Sequence, residues 1–182
     1  MMKNVITTQQ TYAKTQFFNE KINPVNIVED AMAIKAEVIS KNNIRLNRKY
    51  YNVPDIYVQK TKLINVLMNL IKNSTEAMVN NEINNKILTI EINQNEKEVY
   101  IKIYDNGDGI LKENLSKIFN HGFTTKKSGH GFGLHTCANS VKEMNGKIIA
   151  DSEGLGKGAS FTISFAPYEE EKNYFTEDNF EI

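Results

Sequence analysis

The sequence predicts an α+β fold, a two-layer α/β sandwich in which one mixed, mostly antiparallel sheet is covered by helices on one face. Three observations predict it. Apolar residues recur at helical spacing over 26–41, 61–79 and 133–144. Alternating apolar runs at 44–51, 87–92, 99–104, 147–152 and 159–165 read as strands. Their order is mixed and contains hairpins, without the strict strand–helix alternation of a parallel sheet.

Each element has its own signal. Residues 7–18 are polar with scattered aromatics and read as helical, until Asn23-Pro24 breaks the segment. Ile27, Ala31, Ile34 and Val38 then mark the apolar side of a helix. Residues 44–51 form a strand, closed by Pro54. The helix over 61–79 has the strongest pattern, with Leu63, Val66, Leu67, Leu70, Ile71, Ser74, Ala77 and Met78 on one face. The strands 87–92 and 99–104 are joined by the turn Gln94-Asn95-Glu96-Lys97. A long glycine-bearing stretch over 106–131 precedes a helix that stops at Asn145-Gly146. Two last strands flank Gly154-Leu155-Gly156-Lys157-Gly158, and an acidic tail follows Pro167.

Length and composition set outer bounds. The 182 residues suffice for one domain with a real core. Lysine plus arginine equals aspartate plus glutamate, 22 each, so charge offers no case for a nucleic-acid partner. The single cysteine, Cys137, excludes an intrachain disulfide and fits a reducing compartment. No stretch approaches the roughly 20 apolar residues of a membrane helix, and Met1 to Gln10 lacks the apolar run of a signal peptide. The chain therefore reads as cytoplasmic, or as the cytosolic piece of something longer, itself making no membrane contact.

Within the helix 61–79, Asn65, Asn69 and Asn73 lie four residues apart, and Glu76 extends their ridge. A carboxamide oxygen is a hard neutral acceptor and suits Mg²⁺, which takes few protein ligands when phosphates supply the rest. The other reading is a solvated polar face in an asparagine-rich chain.

In the strand 99–104, Val99, Ile101 and Ile103 share one face, and Asp105 continues that set by period two. A carboxylate delivered to a buried face needs a partner. Gly107 and Gly109 behind it let the backbone turn and a ligand approach, and the carboxylate can accept from an exocyclic amine such as that of adenine. A calcium loop is the weaker alternative, because the later bidentate glutamate is missing.

Gly129-His130-Gly131-Phe132-Gly133-Leu134 leads straight into a helix, whose first N–H groups and positive dipole end suit phosphates. It is neither a Walker loop nor a dinucleotide fingerprint. Before it, residues 119–127 carry two aromatic anchors, Phe119 and Phe123, then Thr124, Thr125, Lys126 and Lys127. That loop is suited to close over a triphosphate, although either lysine is equally at home as solvated surface.

Taken in order, these segments resemble the ATPase family shared by histidine kinases, type II topoisomerases, mismatch-repair ATPases and heat-shock chaperones. Residues 65–77 are similar to the histidine-kinase asparagine box, with Asn65 where glutamine is more usual. Asp105-Asn106-Gly107-Asp108-Gly109-Ile110 matches the first glycine box. Residues 119–127 with 129–135 resemble the nitrogen-regulator type of sensor kinase. The resemblance covers roughly residues 26–166 and implies the Bergerat-type ATP-binding fold.

By position, the resemblance implies ATP and Mg²⁺ as cofactors. Asn73 would coordinate Mg²⁺, and Asn69, Asn73 and Lys126 would serve catalysis. Asp105 would take the adenine amine, helped by Gly107, Gly109 and Ile110. The phosphates and the loop over them would fall to Phe119, Thr124, Thr125, Lys126, Lys127, Gly129, His130, Gly131, Gly133 and Leu134. Ser160 would stand in for a threonine that some relatives carry at the place of Ala159. The topoisomerase and chaperone branches place a water-activating glutamate where this chain has Asn69, a poor general base. That departure favours transfer to a protein acceptor over hydrolysis.

The implied activity is that of a two-component sensor kinase passing the γ-phosphoryl group of ATP to a histidine on a dimerisation hairpin, for relay to a response regulator receiver domain. His121, His130 and His135 are the only histidines, and all lie in or beside the nucleotide loops. The expected organisation is therefore a remnant of the upstream helix at 1–22, a catalytic domain at 23–167 and an acidic tail at 168–182. A non-catalytic nucleotide-binding module and a serine kinase of the anti-sigma type are the alternatives.

Overall fold

The computed structural model describes residues 18–79, 84–126 and 129–169. The helix expected over 7–18 lies outside them apart from Phe18, as does the tail beyond Glu169 and Lys127 of the loop. The described residues form strands β1 (Glu20–Ile22), β2 (Arg45–Tyr50), β3 (Ile56–Val58), β4 (Ile87–Gln94), β5 (Val99–Asp105), β6 (Lys147–Asp151) and β7 (Ala159–Phe165). The helices are α1 (Pro24–Lys41), α2 (Lys60–Val79), the single turn α3 (Lys112–Leu115) and α4 (Gly133–Glu143).

Five strands form the main sheet in the order β2-β4-β5-β7-β6. Only the β2–β4 pair is parallel; the other three neighbours run antiparallel. The architecture is the mixed, mostly antiparallel sheet with helices on one face that the sequence predicts. Leu88, Ile90 and Ile92 of β4, Val99, Ile101 and Ile103 of β5, and Phe161, Ile163 and Phe165 of β7 are buried. Alternation sends Thr89, Glu91, Tyr100, Lys102, Tyr104 and Thr162 to the other, partly wetted face.

The helices start and stop for local reasons. Asn23 Oδ1 accepts from the Val25 and Asn26 N–H groups at 2.9 and 3.4 Å, with Pro24 in the first helical position of α1. The predicted stop of α4 is realised by Asn145, which takes the left-handed φ of 58°. Gly146 follows because a side chain there would run into Phe165.

Three corrections follow from packing. In α1, Ile34 and Val38 are 56% and 45% exposed, although their spacing matched Ile27 and Ala31. The buried stripe instead turns toward Met32 and Ile39, a third of a turn around the helix. In α2, Ala77, expected on the apolar face, is only half-buried, and Thr75, which that face did not include, is buried. The strands β1 and β3, absent from the sequence reading, pair antiparallel as a separate two-stranded ribbon. Residues 20–22, assigned by sequence to the upstream piece, thus pair with the domain itself.

The leaving chain joins that ribbon. Pro167 bridges Ile56, the Tyr168 N–H donates to the Asp55 carbonyl at 2.7 Å, and Lys21 Nζ lies 5.1 Å from the centre of the Tyr168 ring.

Candidate functional site

The site begins with α2, whose apolar face, with Leu63, Leu67, Leu70 and Met78, is buried, and which packs on β5 and on α1 and α4. Seating that face leaves Asn69 and Asn73 half-buried at its margin. The Asn69 amide donates only a long bond, 3.3 Å, to the Asn65 carbonyl one turn back. A methyl group added at Gly133 would lie 3.4 Å from Asn69 Oδ1, so the first residue of α4 directly faces the asparagine ridge. No side chain caps α4 at Phe132. Its first N–H groups therefore have no intrahelical partner and no cap at the point nearest Asn69.

Asp105 ends β5 with 1% of its surface exposed, as its phase predicts. Its Oδ1 accepts from the Gly107 N–H at 2.9 Å. Burial pushes the carboxyl above the ordinary aspartate range, against lowering by Gly107 N–H, the Ser74 hydroxyl and Ala159 N–H, while the charge of Asp108 adds to the rise. Ser74, fully buried on α2, stands close enough to lower that carboxyl but outside hydrogen-bond geometry, and its Oγ has no hydrogen-bond partner among the described residues. A buried carboxylate beside a buried orphaned hydroxyl leaves polar groups that a ligand can satisfy.

The loop behind Asp105 is held tightly. The Asp108 N–H donates to the Ala77 carbonyl at 3.1 Å, which docks the loop on the end of α2. A Cβ at Gly107 would sit 2.6 Å from that carbonyl, so only glycine permits the approach. The Gly158 N–H donates to the Gly107 carbonyl at 3.1 Å, and Ser152 Oγ accepts from the Ile110 N–H at 2.9 Å. Gly109 lies against the Gly154 and Gly158 carbonyls, and Ile110 is tied to Ser152, so both are held beside the 154–158 loop.

The 119–126 loop meets the same region from the other side. Phe119, Phe123 and Leu134 pack on the core, while Thr124, Thr125 and His130 are exposed. The Gly131 backbone, at φ 70°, lies against Gly122 and excludes any side chain. Thr124 Oγ1 accepts from the Lys126 N–H at 3.1 Å. Lys126 Nζ is ion-paired with Glu76, which also faces Lys72 at 3.7 Å.

One expected contact is corrected. Across the β5–β7 ladder Ala159 is opposite Asp105, whereas Ser160 is opposite Tyr104. Residues opposite one another share a face, so the Ser160 side chain stands on the far side of the sheet from Asp105. Ser74, read from sequence only as part of an apolar face, is the hydroxyl that accompanies the carboxylate. A hydroxyl at a core phase immediately after Asn73 was the available signal. Glu76 was legible as the end of the ridge, but its pairing with Lys126, 50 residues away, was not.

A cavity of about 430 Å³ opens between α1 and β2 and is lined by Met32, Ala36, Ile39 and Leu46. It holds none of the predicted site residues.

Residues 58–169 match the family described as Histidine kinase-, DNA gyrase B-, and HSP90-like ATPase. The chain is similar to Sensor protein TdiS of Thauera aromatica, 30% identical over 79% of this chain and 27% of that protein. Sporulation kinase C of Bacillus subtilis is 30% identical over 82% of this chain and 33% of its own length. The chain thus spans a third or less of these curated relatives. Among solved structures, the catalytic domain of histidine kinase ThkA superposes with a TM-score of 0.72 at 25% identity, over 81% of this chain and 95% of that one. ThkA has also been solved in complex with response regulator protein TrrA, and that histidine kinase aligns with a TM-score of 0.70 at 22% identity, over 91% of this chain and 50% of that one.

Proposed function

This chain belongs to the histidine kinase-, DNA gyrase B- and HSP90-like ATPase family, and from that premise we propose that it is the ATP-binding catalytic domain of a two-component sensor histidine kinase. The observation that carries the reading is the pair of buried polar groups at the end of β5, the Asp105 carboxylate and the Ser74 hydroxyl, behind a glycine loop.

The residues fit the substrate in order. Asp105 accepts from the exocyclic amine of adenine, a charge-assisted bond in a dry site. The tight packing of Gly107 on Ala77 and the strand pairing of Ala159 hold the carboxylate in place. The uncapped start of α4 directs N–H groups and a positive dipole end at the phosphates, beside Asn69. Asn73 supplies an oxygen for Mg²⁺, which when bound neutralises charge on the phosphate oxygens.

Phosphoryl transfer asks the protein for position and charge more than for covalent chemistry. The bond from the γ-phosphorus to the β,γ-bridging oxygen breaks, and a bond to an imidazole nitrogen of the acceptor forms. ADP keeps the bridging oxygen. Asn69 has no basic group with which to activate water, so the site favours a protein acceptor over hydrolysis. The acceptor histidine is supplied by a dimerisation hairpin, and a response regulator receives the phosphoryl group. The cytosol is the proposed setting.

Calorimetry with Mg·ATP tests the reading. The chain should bind Mg·ATP with slow turnover, and Asp105→Asn should weaken binding by about 1.5–3 kcal/mol. Mixed with the hairpin of its parent kinase, it should yield acid-labile phosphohistidine. Acid-stable phosphate on a partner would instead identify a serine kinase, and ATP binding without transfer a nucleotide-sensing module. Fast hydrolysis by the chain alone would sink the proposal.

A further inference from the structure

His135 is the third residue of α4, and both of its ring nitrogens are engaged. Nδ1 lies 3.0 Å from the Phe119 carbonyl oxygen, at the root of the 119–126 loop. Asn139, one turn later on α4, places its amide nitrogen 3.1 Å from Nε2. A carbonyl can only accept, so Nδ1 carries the proton and Nε2 is the acceptor, with Asn139 holding that tautomer. Two further contacts converge here. The His121 ring sits edge-on to His135 at 5.2 Å and 4.9 Å from Phe132, while the backbones of Gly122 and Gly131 touch. The far side of α4 is anchored through buried Cys137 and Val141.

We infer that His135 is a positioning residue that fixes the root of the 119–126 loop relative to the first turn of α4. The inference rests on the nucleotide-site reading, since it assigns His135 a purpose only if that first turn meets phosphates. The Nδ1–H to Phe119 bond is the hydrogen-bonded strut from the root of the loop into the helix end whose N–H groups face Asn69. Losing it lets the loop and helix end shift against one another. The donor must stand at the Nδ1 position, which an asparagine amide nitrogen reproduces and a glutamine amide nitrogen, at the Nε2 position, does not.

The test compares His135→Asn with His135→Gln in the full chain. Without nucleotide, backbone amide exchange over 119–123 should stay at the wild-type rate in H135N and accelerate in H135Q. With Mg·ATP, H135N should bind within about threefold of wild type and H135Q about tenfold more weakly, the loss of one hydrogen bond. Melting temperatures of the two variants should agree. Equal behaviour of H135N and H135Q in the exchange experiment, whether both like wild type or both loosened, would overturn the inference. The exchange arm needs no ligand. If wild type fails to bind ATP while the two variants still split, the nucleotide reading fails and the strut stands. If wild type binds ATP and the variants do not split, the strut fails and the nucleotide reading stands.

Discussion

With 1% of its surface exposed and backbone N–H groups pulling the other way, Asp105 holds its proton more tightly in the folded chain than in the unfolded one. Between the ordinary aspartate value and the raised folded one, the native state binds more protons. Its contribution to stability therefore falls as pH rises through that window and is least favourable at neutral pH. The Asp105→Asn variant that weakens nucleotide binding should accordingly melt higher than wild type at pH 7 without ligand, with the gain shrinking as pH drops below the window. Thermal melts across pH check this. Ser74 should divide the same way. Ser74→Ala deletes a buried hydroxyl whose favourable influence is on the Asp105 carboxylate, so at pH 7 the nucleotide-free chain should lose at most about 1 kcal/mol, while Mg·ATP affinity falls severalfold, about the weight of one hydrogen bond. A large drop in melting temperature with unchanged affinity would make Ser74 a packing residue instead. Both residues were half legible in advance. Period two put Asp105 inward and helical phase put Ser74 inward, but neither pattern reveals which buried polar atom lacks a partner.

At the scale of elements, α2 does two jobs through two adjacent faces. Its apolar side anchors the sheet and its margin presents Asn69, Asn73 and Glu76. Glu76 and Lys126 are each about two-fifths exposed, so their pair is a weak surface tie, about 0–1 kcal/mol, that triphosphate can displace. Glu76→Gln should free Lys126 and raise Mg·ATP affinity about two- to fivefold at low salt, with the gain fading as ionic strength rises. Calorimetry at two salt concentrations measures it, and lower affinity in the variant would show that Glu76 serves the nucleotide directly. Element legibility followed length. The long helix and the hairpin of β4 and β5 declared themselves, whereas β1 and β3, three residues each, are too short to alternate visibly. The Ser160 error had a remedy in the sequence. Ala159, Phe161, Ile163 and Phe165 share an apolar phase, and that phase already set Ser160 on the opposite face.

For the whole molecule, one continuous apolar core runs from Ile22 to Phe165 and joins every layer. The order of the sequence boxes was enough to anticipate that arrangement, because each box brings its own local geometry. What order could not supply were contacts set by tertiary closure, such as Lys126 with Glu76, His135 with Phe119, and Lys21 with Tyr168. The last of these has a consequence for how the chain could be rewired. Residues 20–22 and 167–168 lie side by side at the β1–β3 ribbon, so a short linker can join them without disturbing the sheet. A circular permutant that joins Glu169 to Glu20 by a short flexible linker, with new ends opened in the exposed 95–97 turn, should fold cooperatively and retain wild-type Mg·ATP affinity. Calorimetry on that permutant measures whether the domain is a self-contained cassette.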